Sequence, residues 1–177
     1  MNKFLIAALA LAPLAACGDA TDTSATSATT GSSGSGCLDF ATAKSGASFK
    51  SDVMPIFQRS CNFSACHNSE ASTPQEGLGL GAPNGITQTD DELKAVRDAI
   101  VGATSERSSL AMVEAGSPET SWLMAKIAYS KFTACAAISD TCAPAGCGTR
   151  MPLNSPALDA ADVDTIAGWI KDGALNN

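Results

Sequence analysis

The sequence predicts an all-α domain with long loops. Four segments combine a helix cap with apolar residues at helical spacing. No segment alternates apolar and polar residues in the way a half-buried strand does. The chain has two Trp, one Tyr and six Phe among many alanines, so its own side chains make only a thin core.

The first predicted helix runs from about residue 52 towards residue 61. Val53, Ile56 and Phe57 share one face, and Pro55 lies in the first turn, where proline is tolerated. The second helix begins at Thr89, because Glu92 three residues later completes a capping box. Its apolar face carries Leu93, Val96 and Ile100, and Gly102 ends it.

The third predicted helix begins at Ser117 and Pro118, an N-cap followed by proline at the first helical position. Its side chains include Trp122, Leu123, Lys126 and Ile127. The last helix begins near Asp159 and ends at Gly173. Its apolar positions follow the spacing i, i+3, i+4, i+7 and are Val163, Ile166, Ala167 and Ile170.

The N-terminus has the layout of an export signal. Residues 1–16 contain one lysine, an apolar run and small residues before Cys17, which predicts a secretory signal peptide. Leu14 to Cys17 match the lipobox, in which the cysteine becomes the lipidated first residue. The alternative, a buried or membrane-spanning helix, is disfavoured because the run is short for ~30 Å of hydrocarbon. Residues 17–36 then form a flexible linker, and residues 37–177 form the folded domain.

The charge of the mature chain limits its partners. Of 11 basic and 18 acidic residues, only Lys3 lies in the signal peptide, so the mature net charge is −8. This balance argues against nucleic acid as a partner. It suits a basic redox protein, and it equally suits a plainly solvated surface.

One segment carries recognisable chemistry. Cys61 and Cys66 can attach a haem through two thioethers, and the adjacent His67 can then bind the iron. His67 is the single histidine of the chain, which excludes bis-histidine ligation. The usual spacer has two residues, whereas this one has four. Both sulfurs reach one porphyrin edge only if residues 62–65 bulge outward, because positions i and i+5 lie about 140° apart on a helix.

Two other interpretations of the segment remain open. A zinc site is disfavoured because the neighbouring side chains of Cys66 and His67 point apart. A disulfide between Cys61 and Cys66 is the simpler alternative.

The sixth iron ligand has four methionine candidates after signal removal, which are Met54, Met112, Met124 and Met151. Met54 lies just before the attachment loop, and Met112 and Met124 suit core positions. Met151 lies in a loop before the last helix, and Pro152 favours an extended backbone there. We therefore favour Met151, whose thioether would raise the reduction potential.

The chain resembles small bacterial c-type cytochromes over most of residues 51–174. The resemblance rests on Val53-Met54-Pro55-Ile56-Phe57 before the cysteine pair, on Gly116–Leu123, on Arg150-Met151-Pro152, and on the closing Ile166…Trp169-Ile170…Gly173-Ala174. It implies a class I cytochrome c fold with one covalent haem c, His67 and Met151 as axial ligands, and crossed first and last helices beside the haem. The four-residue spacer departs from the pattern, as does an insert at residues 132–148 with three cysteines.

The remaining residues of note are secondary. Four cysteines, Cys37, Cys135, Cys142 and Cys147, permit two disulfides, and we expect one pair within residues 135–147 and one bridge to Cys37. The loop Gly77–Gly81 is expected close to the haem. Arg150 is a candidate partner for a haem propionate or an ordinary surface charge.

These features predict a one-electron carrier, not an enzyme, held by lipid at the periplasmic side of a membrane. The outer membrane is favoured because aspartate does not directly follow Cys17. One alternative is an open-site haem sensor or peroxidase, and another is a haem-free lipoprotein stapled by disulfides.

Overall fold

The computed structural model describes residues 38–71, 73–128 and 135–177. The predicted signal peptide, Cys17, the linker at residues 17–36 and Cys37 lie outside the described residues. Within these ranges the protein consists of helices and long loops, with three isolated β-bridges and no extended strand. The prediction of a mostly helical fold is therefore confirmed for this part of the chain. No helix in these ranges is long and apolar enough to span a membrane.

The first helical segment starts three residues earlier than predicted. A π-helical turn at Phe49–Val53, capped by Ser48, leads directly into helix α1 at Met54–Ser60. Pro55 lies in the first turn of α1, as expected. Val53, Ile56 and Phe57 are buried, so the predicted apolar face is confirmed. The helix ends at Cys61, which serves as its C-cap.

Helix α2, Asp90–Ile100, matches its prediction closely. The Thr89 side chain accepts from the backbone of Glu92, and the Glu92 carboxylate accepts from the backbone of Thr89, which completes the capping box. The predicted inward-facing residues are buried, and they are Leu93, Val96 and Ile100.

The third helix is shorter than predicted, which corrects its start at Ser117 and Pro118. A 3₁₀ turn at Pro118–Thr120 comes first, and α3 covers only Trp122–Ile127. The Ser121 hydroxyl donates to the carbonyl of Ser117 and accepts from the backbone N–H of Glu114. These bonds fix Ser121 in an extended conformation and separate the turn from the helix. All six side chains of α3 are buried, including that of Lys126.

Two helices complete the domain. A short helix, α4, covers Ala136–Ser139, and sequence patterns did not predict it. Helix α5, Ala160–Lys171, begins at Asp159, whose carboxylate accepts from the backbone of Asp162. Of the predicted apolar face, Ile166, Ala167 and Ile170 are buried, and Val163 is half-buried at its edge.

The two ends of the domain pack against each other. The ring of Phe49 stacks on the indole of Trp169 with centroids 5.0 Å apart. The backbone of Lys44 passes so close to Gly168 that a Cβ at this position would overlap the Lys44 carbonyl oxygen. The C-terminal Asn177 also accepts backbone hydrogen bonds from Phe49 and Lys50. The first helical segment and α5 are thereby joined beside the core.

The close approach at Gly168 makes a testable prediction. We expect Gly168→Ala to lower the free energy of unfolding by at least about 2 kcal/mol, because the methyl group meets backbone that cannot rotate away. Urea unfolding followed by circular dichroism measures the change. The matched control is Ala161→Ser on the exposed face of the same helix, which should change stability by about 0.5 kcal/mol or less. Equal effects of the two substitutions would contradict the packing described for Gly168.

Candidate functional site

The four residues between Cys61 and Cys66 form a turn that follows the end of α1. The helix stops at Ser60, and the backbone N–H of Cys66 donates to the carbonyl of Phe63. The N–H of His67 then returns to the carbonyl of Cys61 at 3.2 Å. Residues 63–65 are exposed while Cys61 and Cys66 are half-buried. The chain thus bulges outward between the two cysteines. The side chains of Cys61 and Cys66 are therefore not forced about 140° apart, as they would be if α1 continued through them.

The first residue of the spacer points the other way. Asn62 is 1% exposed, and its Nδ2 donates to the carbonyls of Leu80 and Ala82 at 2.9 and 3.1 Å. These bonds hold residues 61–67, which we call the attachment turn, against the loop that follows them. A buried amide with partners on another segment fixes backbone positions more firmly than an exposed one.

His67 is held by its backbone and by one ring nitrogen. Nδ1 lies 3.0 Å from the carbonyl of Leu78, and the N–H of Leu80 donates to the carbonyl of His67 at 2.7 Å. Because a carbonyl only accepts, this contact places the ring proton on Nδ1 and leaves Nε2 with a lone pair. The loop Gly77–Gly81 therefore lies against the histidine, although its leucines do not line the cleft described next.

The electrostatics of His67 favour the neutral ring. Burial lowers the pKa of the imidazole below its ordinary value. Hydrogen bonds to the backbone of Leu78 and Gln75 and the charge of Glu76 act in the opposite direction. The ring is consequently neutral at pH 7, which is the form that binds metals.

The predicted ligands meet in one cleft. Cys61, Cys66, His67 and Met151 line a mostly apolar cavity of about 40 Å³, and the rest of its wall consists of Ser60, Phe63, Gln75, Pro152, Leu153 and Ser155. Met54 and Met124 are instead buried in the core, and Met112 packs against it. Of the four candidate methionines, Met151 alone lines this cavity.

A second, wider cleft adjoins the first. It has a volume of about 390 Å³ and shares Ser60, Phe63, Pro152 and Ser155 with the smaller cavity. The ion pair between Arg59 of α1 and Asp162 of α5 lies in its wall. Together the two clefts separate the attachment turn from the loop that precedes α5.

The loop that carries Met151 is fixed on both sides. The N–H of Met151 donates to the carbonyl of Lys126 at 2.9 Å, and the Met151–Pro152 peptide bond is cis. The Arg150 guanidinium donates to the carbonyls of Pro152 and Ser155. Arg150 thus organises its own loop, a role that neither of its predicted interpretations included.

The cysteines divide into two chemical groups. Cys61 and Cys66 carry thiols, so the structure does not contain the alternative disulfide between them. Burial, followed by the neighbouring Cys66, raises the pKa of the Cys61 thiol to about 12. Cys142 and Cys147 form a disulfide, which agrees with the pair expected in this part of the chain. Cys135 is also disulfide-bonded, and the predicted bridge to Cys37 lies outside the described residues.

The described residues contain no group of three or more His, Cys, Asp or Glu side chains that could hold a metal ion. The one assembly of candidate ligands is the cleft between His67 and Met151. Sequence reasoning missed the carbonyl of Leu78, the backbone contribution of Gln75 and the wall formed by residues 152–155. Backbone groups leave no trace in residue identity, so no sequence signal marked them.

Comparison with protein-family models, with curated proteins and with solved structures finds no match for this chain. The functional inference therefore rests on the geometry of the cleft and on the residues that line it.

Proposed function

We propose that the protein is a c-type cytochrome that transfers single electrons. The main observation behind this proposal is that one cleft is lined by Cys61, Cys66, His67 and Met151. Met151 lies about eighty residues after the other three in the sequence. Two thiols, an imidazole with an available Nε2 and a thioether are the donor set of a covalently held haem with His and Met ligation. When bound, the haem supplies a reversible one-electron iron couple.

The residues present fit such a group chemically. The walls are mostly apolar, the imidazole is neutral, and its second nitrogen is held by a carbonyl, as is usual for metal-binding histidines. The enclosed cavity is smaller than a porphyrin. The wider cleft adjoins it through Ser60, Phe63, Pro152 and Ser155.

The same residues perform the tasks that an electron carrier needs. Cys61 and Cys66 tether the cofactor, and the Leu78 carbonyl orients His67. The apolar wall excludes water and thereby favours a defined potential. With His67 and Met151 as its protein ligands, the iron would offer no open site to a substrate.

Zinc binding is the weaker candidate. Zinc requires thiolates, and burial raises the pKa of Cys61 to about 12, so ionisation of this thiol is costly. An open-site sensor or peroxidase would use the same cleft without ligation by Met151. We also propose that the chain is exported and anchored by lipid at Cys17, on the periplasmic side of a membrane. Its partner would be a redox protein.

Covalent attachment makes the first functional prediction. After expression with a cytochrome maturation system, haem should stay with the polypeptide in denaturing electrophoresis, and Cys61→Ser with Cys66→Ser should abolish the haem stain. Replacing Cys142 and Cys147 by serine is the matched control, because these residues lie outside the cleft, and it should leave the stain in place. A wild-type chain without bound haem would refute the proposal.

The sixth ligand makes the second prediction. The oxidised protein should show the weak thioether-to-iron absorption band in the near red, and Met151→Ala should remove it and lower the reduction potential. Met124→Ala should reduce stability by about 2–4 kcal/mol and keep the band, because Met124 is buried away from the cleft. If wild type lacks the band and its reduced form binds carbon monoxide, the open-site alternative is correct.

The lipid anchor makes the third prediction. Cys17→Ser should release the protein from membranes and leave its visible spectrum unchanged, since the folded domain starts about twenty residues later. Haem staining of membrane and soluble fractions measures the distribution. Retention of the variant in the membrane fraction would mean that the folded domain binds there by itself.

A further inference from the structure

Lys126 is a buried cation that forms no ion pair with any of the residues that the structure describes. Its residue is 9% exposed, it lies within the apolar helix α3, and no carboxylate among the described residues forms a salt bridge with it. Burial, with the charge of Arg107 next, lowers its pKa to about 8. Taking an ammonium group out of water is unfavourable unless polar groups compensate. Stability alone therefore does not explain a lysine at this position.

The contacts of Lys126 explain why a lysine occupies this buried position. Its Nζ donates to the carbonyl of Cys147 at 2.9 Å and lies 5.4 Å from the centre of the Trp122 ring. Its own carbonyl accepts from the N–H of Met151 at 2.9 Å. One residue thus binds both ends of the five-residue segment Cys147–Met151, with the side chain at one end and the backbone at the other.

The second residue of the segment, Gly148, also lies close to the ammonium group. Gly148 has φ +68°, and a Cβ there would lie 3.4 Å from Nζ of Lys126. The far end is anchored as well, because the disulfide ties Cys147 to Cys142. The neighbouring residues Thr141 and Ala143 are in turn hydrogen-bonded to the backbone of residues 107–109. The carbonyl that Lys126 binds is therefore itself held in place.

We propose that Lys126 is a positioning residue, which holds the Cys147–Met151 segment so that the Met151 thioether faces His67 across the cleft. The inference rests on the proposed function, in which Met151 is the sixth ligand. The hydrogen bond from the ammonium group stops the segment from swinging away, and the cation over Trp122 is stabilised by the ring. Lys126 itself does not line the cleft, so it would act through the segment that carries Met151.

Lys126→Met tests the proposal, because methionine fills similar apolar space without a charge or a donor. The matched control is Lys171→Met, which removes an ammonium-to-carbonyl bond of the same length, from Lys171 to Ala41, at an exposed site. Both variants are produced as full chains with the maturation system. We expect Lys126→Met to keep covalent haem and helical content, to lose the near-red thioether band, to have a lower potential and to bind carbon monoxide when reduced. Lys171→Met should match wild type in all five measurements.

The outcomes separate the two proposals. If wild type carries no covalent haem, the proposed function fails and this inference fails with it. If wild type shows the thioether band and Lys126→Met leaves band and potential unchanged, only the role of Lys126 is overturned. If Lys126→Met does not accumulate, Gly148→Ala takes its place, since the positive φ at Gly148 strains any residue with a side chain and so disturbs the same segment while Lys126 stays. An unchanged band in Gly148→Ala would then overturn the role.

Discussion

The hydrogen bond between Nδ1 of His67 and the carbonyl of Leu78 is the constraint on which the candidate site depends. It selects the tautomer, directs Nε2 away from the loop and compensates the burial of a polar ring. The bond can form only because the chain after His67 runs back along it, with the N–H of Leu80 donating to the His67 carbonyl. Asn62 adds two further bonds to the same loop. The histidine is thus oriented by the backbone of the loop that follows it, and Asn62 holds that loop in place.

The two walls of the cleft come from separate parts of the fold. The attachment turn follows α1, whereas the loop that carries Met151 connects α4 to α5. Their relative position is set elsewhere, where Phe49 stacks on Trp169 and where Arg59 pairs with Asp162. The stacked rings and the ion pair thereby hold the two walls relative to each other.

Local sequence rules predicted the elements whose cause is local. The capping box at Thr89 and the Asp159 cap formed as expected, because each joins residues three positions apart. The start of the third helix was wrong, since the Ser121 hydroxyl bonds backbone groups four and seven residues before it. The ligand set of Cys61, His67 and Met151 was predicted from the Cys…Cys-His motif and from the place of Met151 in a loop before Pro152, and the family resemblance implied the same residues. The place of Lys126 was missed, although a lysine within the apolar run Trp122–Ile127 was its visible signal.

The hydrogen bonds that restrain the Met151 loop help to distinguish an electron carrier from an open-site haem protein. A sensor benefits from a ligand that leaves the metal easily, whereas a carrier benefits from ligands that keep their positions in both oxidation states. Lys126 restrains the segment before Met151, and Arg150 restrains the segment after it through two carbonyls. His67 is the single histidine of the chain, so no second imidazole can serve on the distal side. Restraint on both sides of one thioether favours a fixed ligand, and with it the electron-carrier interpretation over the sensor.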